Sequence, residues 1–438
     1  MRRCLLAVLV LLLAGCGAPG GDDNEPAPSE PGAGKIDVAA AGDVTLTVWD
    51  QEIRGGQRRQ IRTLNEQFQE KYPNVKIERV AKSFTDLNTT LKLAVSGDDA
   101  PDVVQANQGR QVMGTLVKGG LLRPVDEYAE AYGWADRYAP VLLDLNRFSS
   151  DGATFGDGEL YGVSQMGEIV GLFYNRDKVA QPPATFAELE QQLAAAKDDG
   201  DVPISFGNLD KWPGIHEFQA VQNAFTPADQ VRDFVFGRDG ASFTTPENEE
   251  AAGKLQEWAE AGYFTKDFNG VGYDPAYKQF SEGAGPFLIA GTWLLRDLSD
   301  AMGDKLGFML VPGQEEGQSQ ALGGESLPFA ITAKSENPDV AAAYIDFITD
   351  AKAADVLART GNLPAMDATA QLTGAAGEDV GEAWRTLAEA DGLVPYLDYA
   401  TPTFFDTITA EVQQLMAGRR SPAEFAEALQ GDFEKSSG

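Results

Sequence analysis

Two pairs of short polar residues stand where they could hold a ligand. Asp50 and Gln51 close the run Val44-Thr45-Leu46-Thr47-Val48-Trp49, and Asn107 and Gln108 follow Val103-Val104-Gln105-Ala106. In an open parallel sheet the carboxyl ends of strands face a crevice, so polar groups at two such ends point to a binding site. Each could equally be a turn residue, since Asp and Asn satisfy turn backbones. Other chemistries are narrowed by what the chain lacks. His216 is its single histidine, which excludes a multi-histidine metal site and any histidine-dependent triad not built on it. Glu159 and Glu168 could form an acid pair of the glycoside hydrolase kind. With 67 acidic residues in the chain, however, such pairs arise by composition alone. Gly162-Val163-Ser164-Gln165-Met166-Gly167 carries one residue too many for a nucleophile elbow. No catalytic residue, cofactor or metal is expected.

The elements that must position these groups can be read from periodicity. Val44, Leu46 and Val48 alternate with threonines, as in a strand. Ile61, Leu64 and Phe68 recur at helical spacing up to Tyr72-Pro73, a second strand runs from Val75 to Val80, and Leu87, Leu91 and Val95 mark another amphipathic helix before Val103. Strand, helix, strand, helix, strand is the rhythm of a mostly parallel sheet. Further helix starts are marked by Thr185 with Glu188, Ser421 with Glu424, and Asn337-Pro338. A length of 438 residues favours two or more lobes over one core. The Gly-, Ser- and Asp-rich stretch from Phe148 to Gly158 is a candidate crossing between lobes, and Gly303 to Pro312 a candidate return.

The order of segments resembles the extracellular solute-binding proteins of bacterial ABC sugar importers, the family that includes maltose-binding protein. The stretches that carry the likeness are LTVWD, EKYPNVKIERV, APDVVQANQGR, LYGVSQMGEIVGLFYNRDKV, FGNLDKWPG, FSEGAGPFLIAGTWLL, ENPDVAAAYIDFITD and GNLPA. The resemblance implies an α/β, two-lobed periplasmic-binding-protein-like fold with a hinge and an interlobe ligand cleft. On this basis residues 44–150 with 306–358 are expected to form one lobe and 151–305 with 359–438 the other. It also implies a binding protein rather than an enzyme, a sugar ligand of the di- or oligosaccharide kind, and ABC permease subunits as partners.

Carbohydrate chemistry agrees with that implication. A pyranose lays C–H faces on aromatic rings and surrounds them with hydroxyls that need donors and acceptors. Trp293, after Gly291-Thr292, matches the family position whose tryptophan stacks on a sugar; a core position is the alternative. Trp212 lies in Asn208-Leu209-Asp210-Lys211-Trp212-Pro213-Gly214, a loop-like setting. Glu168 follows the Tyr161-to-Gly167 segment, where family members present a polar contact, and Glu325 follows two glycines that let backbone approach a ligand. The expected substrate-binding set is therefore Asp50, Gln51, Asn107, Gln108, Glu168, Asn208, Trp212, Trp293 and Glu325, with His216 read as structural. Trp258 and Trp384, inside helical patterns, are read as core. Two alternatives stay open: a cell-surface glycoside hydrolase, and a binding protein for a non-sugar solute. Arg54, Arg110 and Arg296 lie near the relevant segments and would suit an acidic ligand if one pointed inward.

Lys+Arg number 35 against 67 Asp+Glu, a formal charge of −32, which repels nucleic acid and anionic membrane surfaces. Hydrophobic residues at 43% and charged residues at 23% are ordinary globular usage and exclude a mostly disordered chain. Arg2-Arg3, the apolar run Leu5–Leu13 and small residues up to Cys16 have the layout of an export signal. Leu13-Ala14-Gly15-Cys16 resembles the lipobox of bacterial lipoproteins, which implies a signal peptide at 1–15, lipid attachment at Cys16 and anchoring to the outer face of the cell membrane. Residues 16–43, rich in Gly, Pro, Ala and acids, are expected to form a flexible tether. The body is expected to be a monomer that meets the membrane only through that lipid.

Overall fold

The computed structural model describes residues 35–317, 320–367 and 370–437. The expected signal peptide, Cys16 and the tether up to residue 34 lie outside them. The remainder of that tether is docked. Val38 is buried in the core with Ile36 packed beside it, and the Asn74 side-chain amide donates to the Val38 and Gly42 carbonyls at 2.8 and 2.7 Å. Two branched apolar side chains hold residues 36 to 38 on the core, which corrects the expectation that a tether runs to residue 43.

The first sheet follows the expected rhythm. Strand β1 (Val44–Asp50) buries Val44, Leu46, Val48 and Asp50, and helix α1 (Gly55–Lys71) buries Ile61, Leu64 and Phe68. Strand β2 (Val75–Ala81) pairs parallel with β1 along its whole length. Helix α2 (Phe84–Ser96), capped by Ser83, buries Leu87, Leu91 and Val95. Strand β3 (Val103–Gln105) lies parallel to β1 on its other side.

Next in the chain, β4 (Arg147–Phe148) and β5 (Glu159–Leu160) pair antiparallel. The Gly- and Ser-rich segment expected to cross between lobes is thus the loop of a hairpin. The passage comes instead at residues 161–166, after which β6 (Gly167–Asn175) enters a second sheet with every residue buried. Strand β6 is the spine of that sheet. It pairs antiparallel with β7 (Phe287–Gly291), β8 (Leu306–Met309) and β9 (Ala321–Glu325). This pairing corrects the expected return at 303–312 and the assignment of 306–325 to the first lobe, because β8 and β9 hydrogen-bond to β6. The chain rejoins the first sheet only at β10 (Phe329–Ile331), antiparallel to β3, and a short β11 (Leu393–Val394) completes the second sheet beside β9.

Thr185 and Ser421 cap their helices as expected, accepting from the backbones of Glu188 and Glu424. Asn337 does not: Pro338 fills the first turn of the helix Pro338–Ile348, but the Asn337 side chain makes no capping bond. Trp258 and Trp384 are in the core.

Candidate functional site

One cavity of about 460 Å³ is walled from both sheets, within the range of ligand pockets. Gln51, Arg54, Phe84 and Asn107 come from segments that follow strands of the first sheet; Glu168, Trp212, Trp293, Glu325 and Tyr396 come from the second.

The two tryptophans are placed by local breaks in regular structure. The helix Pro213–Gln222 starts at Pro213, which leaves Trp212 on the last position before the first turn, after Lys211 in a left-handed conformation with φ 68°. Trp293 sits in a 3-10 turn, Thr292–Leu294, directly after β7, and the Thr292 hydroxyl accepts from the Ile169 backbone at 3.2 Å and so ties the turn to β6. Its indole N–H donates to the Tyr273 hydroxyl at 2.9 Å, which fixes the ring's orientation. The Trp212 ring lies 4.5 Å from Tyr273, 6.3 Å from Trp293 and 6.3 Å from Phe84 of α2 on the opposite wall. Both indoles keep part of their surface open to the cavity.

Beside the rings are polar groups in unusual states. Glu168 and Glu325 are each pushed up to about 8, first by burial; Glu168 is raised further by Glu52 and Glu325 by Glu168. Asp398 is pushed up to about 7 by burial, against a hydrogen bond from Asn107. His216 is packed among Trp212, Trp293 and Tyr396, and burial pushes its imidazole down to about 3, so it is neutral. Arg54 bridges the rim, donating to Asp274 at 3.1 Å and lying over the Tyr273 ring.

Gln51, Asn107, Glu168, Trp212, Trp293 and Glu325 are brought together on the cavity wall. Asp50, Gln108 and Asn208 are not. Asp50 continues the buried phase of β1, is wholly enclosed, and accepts two bonds of 2.5 Å from Arg79. Gln108 is turned inward as a stitch, donating to the Ser326 carbonyl at 2.9 Å and accepting from the Tyr399 hydroxyl at 3.2 Å. Asn208 accepts from the Gly214 backbone at 2.9 Å and donates to Asn269 at 3.0 Å, so its amide holds the loop that carries Trp212. Glu159 is exposed on β5 and does not line the cavity with Glu168. Of the three arginines, Arg54 lines the cavity, Arg110 donates to the Val235, Phe236 and Ala400 carbonyls, and Arg296 pairs with Asp300.

The model of the bacterial extracellular solute-binding protein family matches residues 63–388, about three-quarters of the chain. The chain belongs to this family.

This solute-binding protein is 23% identical to the maltotriose-binding protein of Pyrococcus abyssi over 71% of its own length and 64% of that relative's. The match therefore spans slightly under two-thirds of that relative. It is 25% identical to the galactooligosaccharide-binding protein of Bacillus subtilis, over 80% of this chain and 76% of the other. Among solved structures, a chitin oligosaccharide binding protein superposes with a TM-score of 0.77 at 20% identity, covering 90% of this chain and 99% of that one. The likeness establishes the two-lobed α/β fold. The family is one of extracellular solute-binding proteins.

Sequence reasoning missed several wall residues of this binding protein. Tyr273 is the first residue of a helix and Tyr396 follows the two-residue β11, too short to show a pattern. His216 is one helical turn beyond Trp212, and that i, i+4 spacing is the signal that could have found it.

Proposed function

We propose that this protein captures a sugar, in particular a short oligosaccharide, between its two lobes and hands it to the permease of an ABC importer. The observation that supports this reading most directly is the pair of partly open indoles, Trp212 and Trp293, held edge to face beside carboxylates and amides in one cavity. Flat apolar faces flanked by hydrogen-bonding groups are what a pyranose requires. The three relatives named above bear sugar-binding names. Gln51, Asn107, Glu168 and Glu325 would serve the hydroxyls. Because the wall is shared by both sheets, a ligand that touches both would shift the population toward a closed form, and that form is the one the permease would receive. The protein acts as a monomer, anchored to the outer face of the membrane by lipid on Cys16.

A thermal-shift panel of mono-, di- and trisaccharides tests the ligand class. A ligand present at about 100 times its Kd should add about 2.7 kcal/mol of stability. A panel in which no sugar raises the melting temperature would overturn the reading. Anchoring is tested separately: Cys16→Ser is expected to move the protein from the membrane fraction to the medium, and a variant that stays in the membrane fraction would contradict lipidation.

A further inference from the structure

The ionisable groups that line the cleft do not balance. Glu168, Asp210, Asp274, Glu325 and Asp398 face a single guanidinium, Arg54, which is already bound to Asp274 at 3.1 Å. Asp210 accepts the Tyr273 backbone N–H at 2.9 Å. His216 brings no charge, since burial holds it neutral. Among the described residues no ion pair includes Glu168, Glu325 or Asp398, although Arg54 is near enough to Glu168 to favour its charged form.

The hydrogen-bond inventory is lopsided in the same direction. Asn146 donates to one oxygen of Glu325. Ser164 and Gln108 donate to the Ser326 carbonyl, at 2.5 and 2.9 Å, and lie close enough to the Glu325 carboxyl to favour its ionised form. The other Glu325 oxygen is buried without a close hydrogen-bond partner, in a residue only 1% exposed. Glu52, behind Glu168, has an unpartnered oxygen too. Orphaned buried acceptors are costly and call for a donor. A sugar hydroxyl brings one donor with its acceptors, whereas an ammonium brings three donors and no acceptor. An ammonium also gains from nearby aromatic faces.

We propose, building on the carbohydrate reading, that the preferred ligand is a sugar bearing a free, protonated amino group. Its ammonium sits between Glu168 and Glu325, and its ring lies against the indoles of Trp212 and Trp293. The cation supplies the charge and the donors that the floor of the cleft lacks, and it draws both carboxyls to their ionised forms. An N-acetylated sugar fits less well, because its amide is neutral and adds a carbonyl acceptor where acceptors are already in excess.

Titration calorimetry at neutral pH on matched ligands decides the matter. The set is glucose, glucosamine and N-acetylglucosamine, the corresponding galactose series, and the dimers cellobiose, chitobiose and fully deacetylated chitobiose. Within a series the amine-bearing member is expected to bind about tenfold tighter than its hydroxyl and N-acetyl counterparts, the scale of one charge-assisted hydrogen bond. That advantage should vanish in Glu168→Gln and in Glu325→Gln, the ratio of amine to neutral-sugar affinity falling to about one in each, whatever the change in absolute affinity. Should either variant fail to fold, the comparison of matched ligands on the unaltered protein still decides. Neutral or N-acetylated sugars binding as tightly as the amines would overturn the inference and leave the carbohydrate reading standing. Binding by no member of this set or of the wider saccharide panel would remove both.

Discussion

Trp293→Ala is expected to weaken sugar binding roughly 30-fold, or about 2 kcal/mol, the cost of truncating a central aromatic anchor. The expectation rests on how the indole is held. Its N–H is fixed by Tyr273, its ring lies 5.6 Å from His216 and 6.3 Å from Trp212, and part of its face remains open to the cavity. A ring fixed in advance loses little conformational freedom on binding, so most of the stacking energy reaches the affinity. Gly291→Ala should reproduce much of the effect without touching the indole chemically. A Cβ at position 291 would lie 1.9 Å from Cζ3 of Trp293, so the ring must leave its place. Calorimetric titration of both variants, with the unliganded fold checked by circular dichroism, is the measurement. Unchanged affinity in a folded Trp293→Ala protein would take this residue out of the site.

The second large effect concerns stability. Arg79→Met is expected to cost about 3–5 kcal/mol in urea unfolding, because it strands a buried carboxylate. Asp50 is fully enclosed, and Arg79 grips both of its oxygens at 2.5 Å while also donating to the Glu52 carbonyl at 2.7 Å. The double change Asp50→Asn with Arg79→Met should recover most of the loss, since an amide at 50 can still accept the Glu52 backbone N–H that Asp50 now accepts at 2.8 Å. A loss under about 1 kcal/mol for Arg79→Met would show that the pair does not hold the sheet together.

Asp50 also shows how far periodicity reaches. Its place at the end of β1 was legible, and so was the alternation that buries Val44, Leu46 and Val48. Carried two residues further, the same period-2 phase puts Asp50 on the buried face, while Gln51, one residue on, turns to the cavity. For Gln108 and Asn208 no such local signal exists. Their amides are taken by Ser326, Tyr399, Gly214 and Asn269, and three of these partners lie more than fifty residues away in the chain.

What the amino-acid sequence determined by itself is whatever neighbours along the chain decide. The alternating strand β1, the amphipathic helices α1 and α2, the serine and threonine caps, and the break at Pro213 that frees Trp212 all follow from spacing and backbone preference. What only the tertiary structure decided is which of these pieces meet. The pairing of β8 and β9 with β6 moved the boundary between the halves, and packing brought Arg54, Tyr273 and Tyr396 to one cavity although more than three hundred residues separate the first from the last. The gathering of acidic groups in the cleft is likewise a property of the assembled wall. Carboxylates scattered through an acidic chain carry no message until burial removes the water, and with it the counter-charges, that would otherwise satisfy them.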